Sequence, residues 1–412
     1  MPLRRVGICE AGYSMNFSHL MELARKVDKR LHRWLRHTRS VLVNARTPMN
    51  YDIIAPIHRA MRSDPRVTFY FTASENTLRP SEIYGGFEGS ERIISTRQAA
   101  LMKFDAYLVA DLLWVRLPRG ARRVLLFHGV AGKYGNIYDT PDRSMREWDR
   151  LFFINRRRMR NFIAAGAIDA DSPAARLVGY PKLDCLVDGT FKRDKVLNSL
   201  GIDPASRTVL YAPTWSPYSS LNAMGEELIK QLSNAGYKVI VKLHDRSRSL
   251  QYVHSGGVNW ARRLEPILEE SGGHIATESD ASPYLAAADV LITDHSSVGF
   301  EYLLLDRPLV RIEMPELIAS TNIPPDYVSL LAEASTTVRT AAEAVAAVGR
   351  SFAEPSHKSP SRKSVAEDLF YMPGTATARA VCELYEVLEL DPIAAASAVT
   401  LPQWADNVSV ES

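Results

Sequence analysis

Four stretches of this 412-residue chain end an apolar run on side chains suited to moving or holding a phosphoryl group. Val290-Leu291-Ile292 leads into Thr293-Asp294-His295-Ser296-Ser297, so hydroxyls and open backbone amides follow a buried strand where a helix carrying Phe300, Leu303 and Leu304 inward begins. Free N–H groups and the helix dipole at such a start suit the phosphates of a nucleotide. Helix capping by Asp294 and Ser296 accounts for the same residues without a ligand. Phe127-His128-Gly129, with Gly132-Lys133 just beyond, puts an imidazole and flexible backbone at another strand end. An imidazole there can take the proton of an attacking hydroxyl. Lys242-Leu243-His244-Asp245-Arg246 delivers two cations able to neutralise phosphate, and a histidine able to donate to a phosphoryl oxygen or a leaving group. Tyr211-Ala212-Pro213-Thr214-Trp215-Ser216 offers hydroxyls, Thr214 among them, in a turn stiffened by proline.

Strands must carry these loops, and short apolar strands alternate with helical patterns in two sets. The first set holds residues 40–44, 67–71, 106–110 and 123–127, with a helix bearing Ile53, Ile54, Ile57, His58 and Met61 between its first two strands. The second holds 208–212, 238–242, 290–293 and 309–312, with a helix over about 223–234. The expected organisation is a basic amphipathic segment over 1–38, a Rossmann-like acceptor-side domain over 39–185 and a Rossmann-like nucleotide-binding domain over 186–374. A terminal helix over 375–390 and a loosely ordered tail over 391–412 follow. Turn residues between Gly179-Tyr180-Pro181-Lys182-Leu183-Asp184 and Gly201-Ile202-Asp203-Pro204 mark the boundary, and two such domains leave a cleft between them.

In order along the chain, Phe127-His128-Gly129, Gly179-Tyr180-Pro181, residues 210–215, Lys242-Leu243-His244, residues 288–297, Phe300-Glu301-Tyr302 and residues 305–308 resemble the CDP-glycerol glycerophosphotransferases of teichoic-acid synthesis. The resemblance spans roughly residues 41–390. It implies a GT-B fold, with two Rossmann-like doubly wound domains facing a cleft, and transfer of glycerol phosphate from CDP-glycerol to a hydroxyl with release of CMP. It implies that His128 is the base and that His244 contacts the donor phosphates. Thr293, Ser296 and Ser297 would hold the pyrophosphate, Asp294 would order their loop, and Glu301 would reach the ribose. The chain departs from the family pattern at Val130-Ala131, Asp245 and His295. A sugar transferase with a nucleotide-sugar donor would use the same helix start. A noncatalytic nucleotide-binding module is the third reading.

Composition narrows the setting. Cys9, Cys185 and Cys382 have no metal-ligand spacing, no stretch is apolar enough to span a membrane, and no acidic cluster suggests a protein metal site. The expectation is a cytoplasmic enzyme with no tightly bound cofactor, a loosely associated Mg²⁺ on the donor being compatible with it. Residues 1–40 hold nine Lys or Arg against three Asp or Glu, leaving 41 against 44 in the rest of the chain. Residues 16–38 therefore read as an amphipathic helix, with Leu20, Leu23, Val27, Leu31, Trp34 and Leu35 on one face, either packed on its own domain or lying on an anionic membrane at the inner face of the plasma membrane. Arg156-Arg157-Arg158 with Arg160, and Lys133, are candidates to hold a lipid-linked or polyanionic glycan acceptor. A solvated helix face is the alternative, and nothing points to nucleic acid.

Overall fold

The computed structural model describes residues 38–74, 78–85, 92–113, 120–130, 141 and 143–393. The basic segment over 1–37, Lys133 and the tail beyond 393 lie outside these described residues.

Two parallel sheets organise the chain. The first runs β3-β2-β1-β4-β5-β6-β7, from β1 (Arg39–Asn44), β2 (Val67–Thr72), β3 (Arg92–Ile93), β4 (Ala106–Val109), β5 (Arg122–Leu126), β6 (Arg150–Phe153) and β7 (Ala175–Leu177). The second runs β10-β9-β8-β11-β12-β13, from β8 (Thr208–Tyr211), β9 (Lys238–Lys242), β10 (His274–Ala276), β11 (Val290–Thr293), β12 (Leu309–Ile312) and β13 (Thr336–Val338). Each sheet places its first strand inside and reverses direction there, between β1 and β4 and between β8 and β11, so each has the doubly wound order with a crevice at its switch point.

Helices on both faces bury the central strands from both sides, which is why Val41, Leu42 and Val43 are all inaccessible to solvent. Alternation shows in the second sheet. Val209, Val239, Val241, Val290 and Ile292 enter one core, whereas Leu210, Ile240 and Leu291 join another that continues into the first sheet's domain. The long central strands were legible as apolar runs. Edge strands β3, β10 and β13 were not, because two or three partly exposed residues carry no usable period. Strand β6 is hidden differently: its apolar Leu151-Phe152-Phe153 stands two residues before the arginine run, with Arg150 on its other side, so no long apolar run marks it.

After the second sheet, the last helix, Ala376–Leu388, returns to the first domain. Tyr385 Oη donates to Asp64 Oδ2 at 3.0 Å, Arg39 Nε donates to the Leu388 carbonyl at 3.0 Å, and Arg176 pairs with Glu383 at 2.8 Å. Gly179 lies where this return crosses the connector. Its φ of +92° is a left-handed value, and a Cβ there would stand 2.5 Å from the Tyr371 carbonyl oxygen.

Candidate active site

Strand β5 ends at Leu126 and the chain turns through Phe127 to His128, whose Nδ1 lies 2.5 Å from the Ala110 carbonyl at the end of β4. A carbonyl only accepts, so Nδ1 carries the proton and Nε2 keeps the lone pair in the neutral ring. Burial lowers the His128 pKa, while Asp111 and the Ala110 contact pull the other way and Arg158 and Arg46 add to the lowering. The neutral, proton-accepting ring is thus favoured near neutral pH.

His244 follows β9 and has the opposite tautomer. Its Nδ1 accepts from the Arg246 backbone N–H at 3.1 Å, capping the short 3-10 helix Asp245–Arg248 and leaving the proton of the neutral ring on Nε2. Trp215 lies beside it, ring centroids 5.9 Å apart, and the Arg246 guanidinium sits 4.3 Å over the indole. Hence His128 presents an acceptor and His244 a donor, which are the two proton roles that acyl or phosphoryl transfer requires. Lys242, 9 % exposed, donates to the Leu243 carbonyl at 3.0 Å. Burial, with Arg248 and Lys182 nearby, lowers its pKa despite Asp245, an environment that an added phosphate charge would relieve.

The β11 loop divides into residues that build it and residues that face outward. Asp294, fully buried, accepts from the Thr214 N–H at 2.8 Å, the His295 N–H at 2.7 Å, the Ser220 N–H at 3.1 Å and the Ser220 hydroxyl at 3.0 Å. It therefore ties the β8 turn, the start of helix Ser220–Asn234 and its own loop together. The Thr293 hydroxyl donates to the Ala212 carbonyl at 2.7 Å. The Thr293 proton and the Thr214 N–H thus both serve interior bonds that shape the loop. Ser296, half-buried, takes the N-cap position of helix Ser297–Tyr302 without a side-chain capping bond, and Ser297 is half-buried in the first turn. Gly299 keeps that helix close to β11, since a Cβ would meet Thr293 and Leu331 at 3.2 Å.

The arginine run separates residue by residue. Arg158 is buried and donates to the carbonyls of Gly129 at 2.9 Å and Val130 at 3.4 Å, with its guanidinium 5.6 Å from the Phe127 ring centroid. It braces the histidine loop from behind instead of facing an acceptor. Arg157 is likewise spent, on Asp368 at 2.5 Å and Asp326 at 3.2 Å. Arg156 is exposed over the Tyr371 ring and, with Arg160, Leu304 and Phe370, lines a cavity of about 530 Å³.

Glu301 is 3 % exposed, and its Oε2 stands 3.5 Å from the ammonium of Lys182, a residue the sequence reading passed over. Lys182 also lies 3.7 Å from Asp280. Burial raises the Glu301 pKa against the pull of Lys182. Burial opposes the Lys182 ammonium, yet Glu301, Tyr180, Asp280 and Asp52 outweigh it and keep its pKa above the usual value. The segment that carries Lys182 also reaches the His128 loop, because the Gly129 N–H donates to Tyr180 Oη at 3.5 Å. Among the described residues no group of His, Cys, Asp or Glu forms a metal cluster, and no helix is long and apolar enough to cross a membrane.

A family model described as CDP-Glycerol:Poly(glycerophosphate) glycerophosphotransferase matches residues 41–380. A teichoic acid poly(glycerol phosphate) polymerase of Bacillus spizizenii is 27% identical over 222 residues, which is 48% of this chain and 53% of that protein. A teichoic acid glycerol-phosphate primase of Bacillus subtilis is 32% identical over 124 residues, 29% of this chain and 28% of that one. The chain thus spans about half or less of the length of these curated relatives. A structure of the wall teichoic acid polymerase TagF superposes with a TM-score of 0.64 at 14% identity, covering 91% of this chain and 99% of that one. A putative UDP-N-acetylglucosamine 2-epimerase from Listeria monocytogenes gives 0.56 at 14% identity, over 86% and 100%. The fold is of GT-B type, two Rossmann-like domains about a cleft.

Proposed function

Because the chain belongs to the CDP-glycerol:poly(glycerophosphate) glycerophosphotransferase family, we propose that it transfers glycerol phosphate from CDP-glycerol to a hydroxyl of a teichoic-acid-type acceptor and releases CMP. The observation that carries this reading is the pair of complementary imidazoles, His128 with its lone pair on Nε2 and His244 with its proton there. The acceptor hydroxyl gives its proton to His128 Nε2 as its oxygen bonds to the glycerol-bound phosphorus. The bond from that phosphorus to the oxygen bridging to CMP breaks, and charge grows on the departing phosphate. His244 Nε2–H, Lys242 and the amides at Ser296 and Ser297 meet that charge. Glu301 accepts the ribose hydroxyls. Any Mg²⁺ would travel with the donor diphosphate.

Arg156 and Arg160, at the mouth of their cavity, are the described cations we assign to the phosphates of a polyanionic or lipid-linked acceptor. Lys133 and the amphipathic segment over 16–38 would add to acceptor and membrane-surface contact on the cytoplasmic side. The test incubates purified protein with CDP-glycerol, UDP-glucose and UDP-N-acetylglucosamine in turn, with a glycerol-phosphate-primed lipid acceptor. CMP release with acceptor growth is expected from CDP-glycerol alone. Sugar transfer without use of CDP-glycerol would overturn the reading, as would CDP-glycerol binding with no turnover.

A further inference from the structure

The buried pair Lys182 and Glu301 joins two segments far apart in the chain. Lys182 lies in the connector after β7, and Glu301 lies in the helix that follows β11. Neither side chain is more than 9 % exposed. Their contact is nevertheless loose, 3.5 Å to Glu301 Oε2 and 3.7 Å to Asp280 Oδ1, and Glu301 Oε2 makes no hydrogen bond among the described residues. Even well-formed buried pairs often contribute little net stability against an apolar replacement. A buried carboxylate with an unfilled acceptor oxygen and a cation behind it is instead arranged to receive hydroxyl donors.

The neighbouring carboxylates already hold other donors. Asp280 Oδ1 is occupied by the Ser282 N–H and hydroxyl at 3.0 and 2.8 Å, and Asp52 Oδ2 accepts from Ser279 Oγ at 2.6 Å. Each neighbouring carboxylate thus has one oxygen engaged by a serine, whereas Glu301 Oε2 has no hydrogen-bond partner among the described residues. We infer that Lys182 positions the Glu301 carboxylate to accept the ribose hydroxyls of the donor, and so sets discrimination between ribonucleotide and 2′-deoxyribonucleotide donors. This rests on the assignment of Glu301 to the ribose made above. Lys182 touches no reacting atom; it acts through Glu301. Without the ammonium the carboxylate would stand buried beside Asp280 with no cation, and would protonate or turn away, losing the acceptor. Through Tyr180 Oη the same short segment meets Gly129 behind the base, so the ribose contact and the His128 loop share one support.

The test uses the full chain and variants K182M, K182Q, K182R and E301Q. Binding of CDP and 2′-deoxy-CDP is measured by calorimetry, turnover of CDP-glycerol is followed by CMP release, and a thermal melt checks folding. The native protein should prefer CDP over 2′-deoxy-CDP by about tenfold or more, the value of one charge-assisted hydrogen bond. K182M and K182Q should bring that ratio towards unity and raise the donor KM more than they lower kcat, while K182R keeps most of the preference. A folded K182M or K182Q that retained the full ratio while E301Q lost it would overturn the role of Lys182 and leave the ribose assignment standing. A ratio unchanged in E301Q as well would overturn the ribose assignment itself.

Discussion

Replacing Asp294 with Asn should loosen the loop after β11 before any ligand is present. The carboxylate accepts four hydrogen bonds in a fully buried position, two at Oδ1 from the Thr214 and His295 amides and two at Oδ2 from Ser220. An asparagine of equal volume keeps one oxygen for the first two. Its NH2 group then faces the Ser220 N–H at about the 3.1 Å now separating that amide from Oδ2, donor against donor, although the Ser220 hydroxyl can reverse and accept. The loss is one orphaned buried amide together with weaker bonds to a neutral acceptor, about 2–4 kcal/mol in all. For a cooperative unit of this size that is a fall in Tm of roughly 5–15 °C. Asp294→Ala strands three amides and should cost more. The assay is a thermal melt of the ligand-free protein followed by fluorescence, repeated with CDP. If Asp294→Asn melted within about two degrees of the native protein while CDP affinity collapsed, Asp294 would be a ligand contact and the loop-anchoring argument would be wrong.

For the histidine after β5, burial lowers the pKa below the ordinary imidazole value of about 6.5, so the neutral ring persists to lower pH. The acid limb of kcat/KM should have its midpoint below 6.5, and His128→Ala should lower kcat at least a hundredfold while CDP affinity changes little; an acid limb centred above 7 would contradict the base assignment. Arg158→Met removes the guanidinium from the Gly129 and Val130 carbonyls, and should lower kcat about tenfold with donor KM little moved, in steady-state assays at varied CDP-glycerol. Gly179→Ala forces a Cβ to 2.5 Å from the Tyr371 carbonyl at a φ of +92°, so a destabilisation of about 2–4 kcal/mol is expected by urea unfolding.

Much of the site was readable because its parts are contiguous. An apolar run of strand length followed by His128, by Lys242 and His244, or by Ser296 and Ser297 states both the element and its loop, and a parallel strand delivers its following loop to the carboxyl edge of the sheet whatever the neighbours are. The same locality explains what the sequence does not separate. Three consecutive arginines look alike in sequence, yet successive helical positions point about 100° apart. Arg156 therefore meets solvent, Arg157 meets Asp368, and Arg158 supports the Gly129 carbonyl.

The sequence by itself determined two parallel α/β units, the loops at their strand ends and the family they resemble, because apolar period and short motifs are properties of neighbouring residues. Only the tertiary structure decided which nitrogen of each histidine holds the proton, since Ala110 and Arg246 each engage Nδ1 in the opposite sense. It also decided that Thr293 shapes the loop from within, and that Lys182, in a motif legible only as a boundary, meets Glu301 at a distance of 3.5 Å. A lysine in a turn is ordinarily a surface residue. Its burial against a carboxylate arises when two domains close on each other, and that juxtaposition has no signature along the chain.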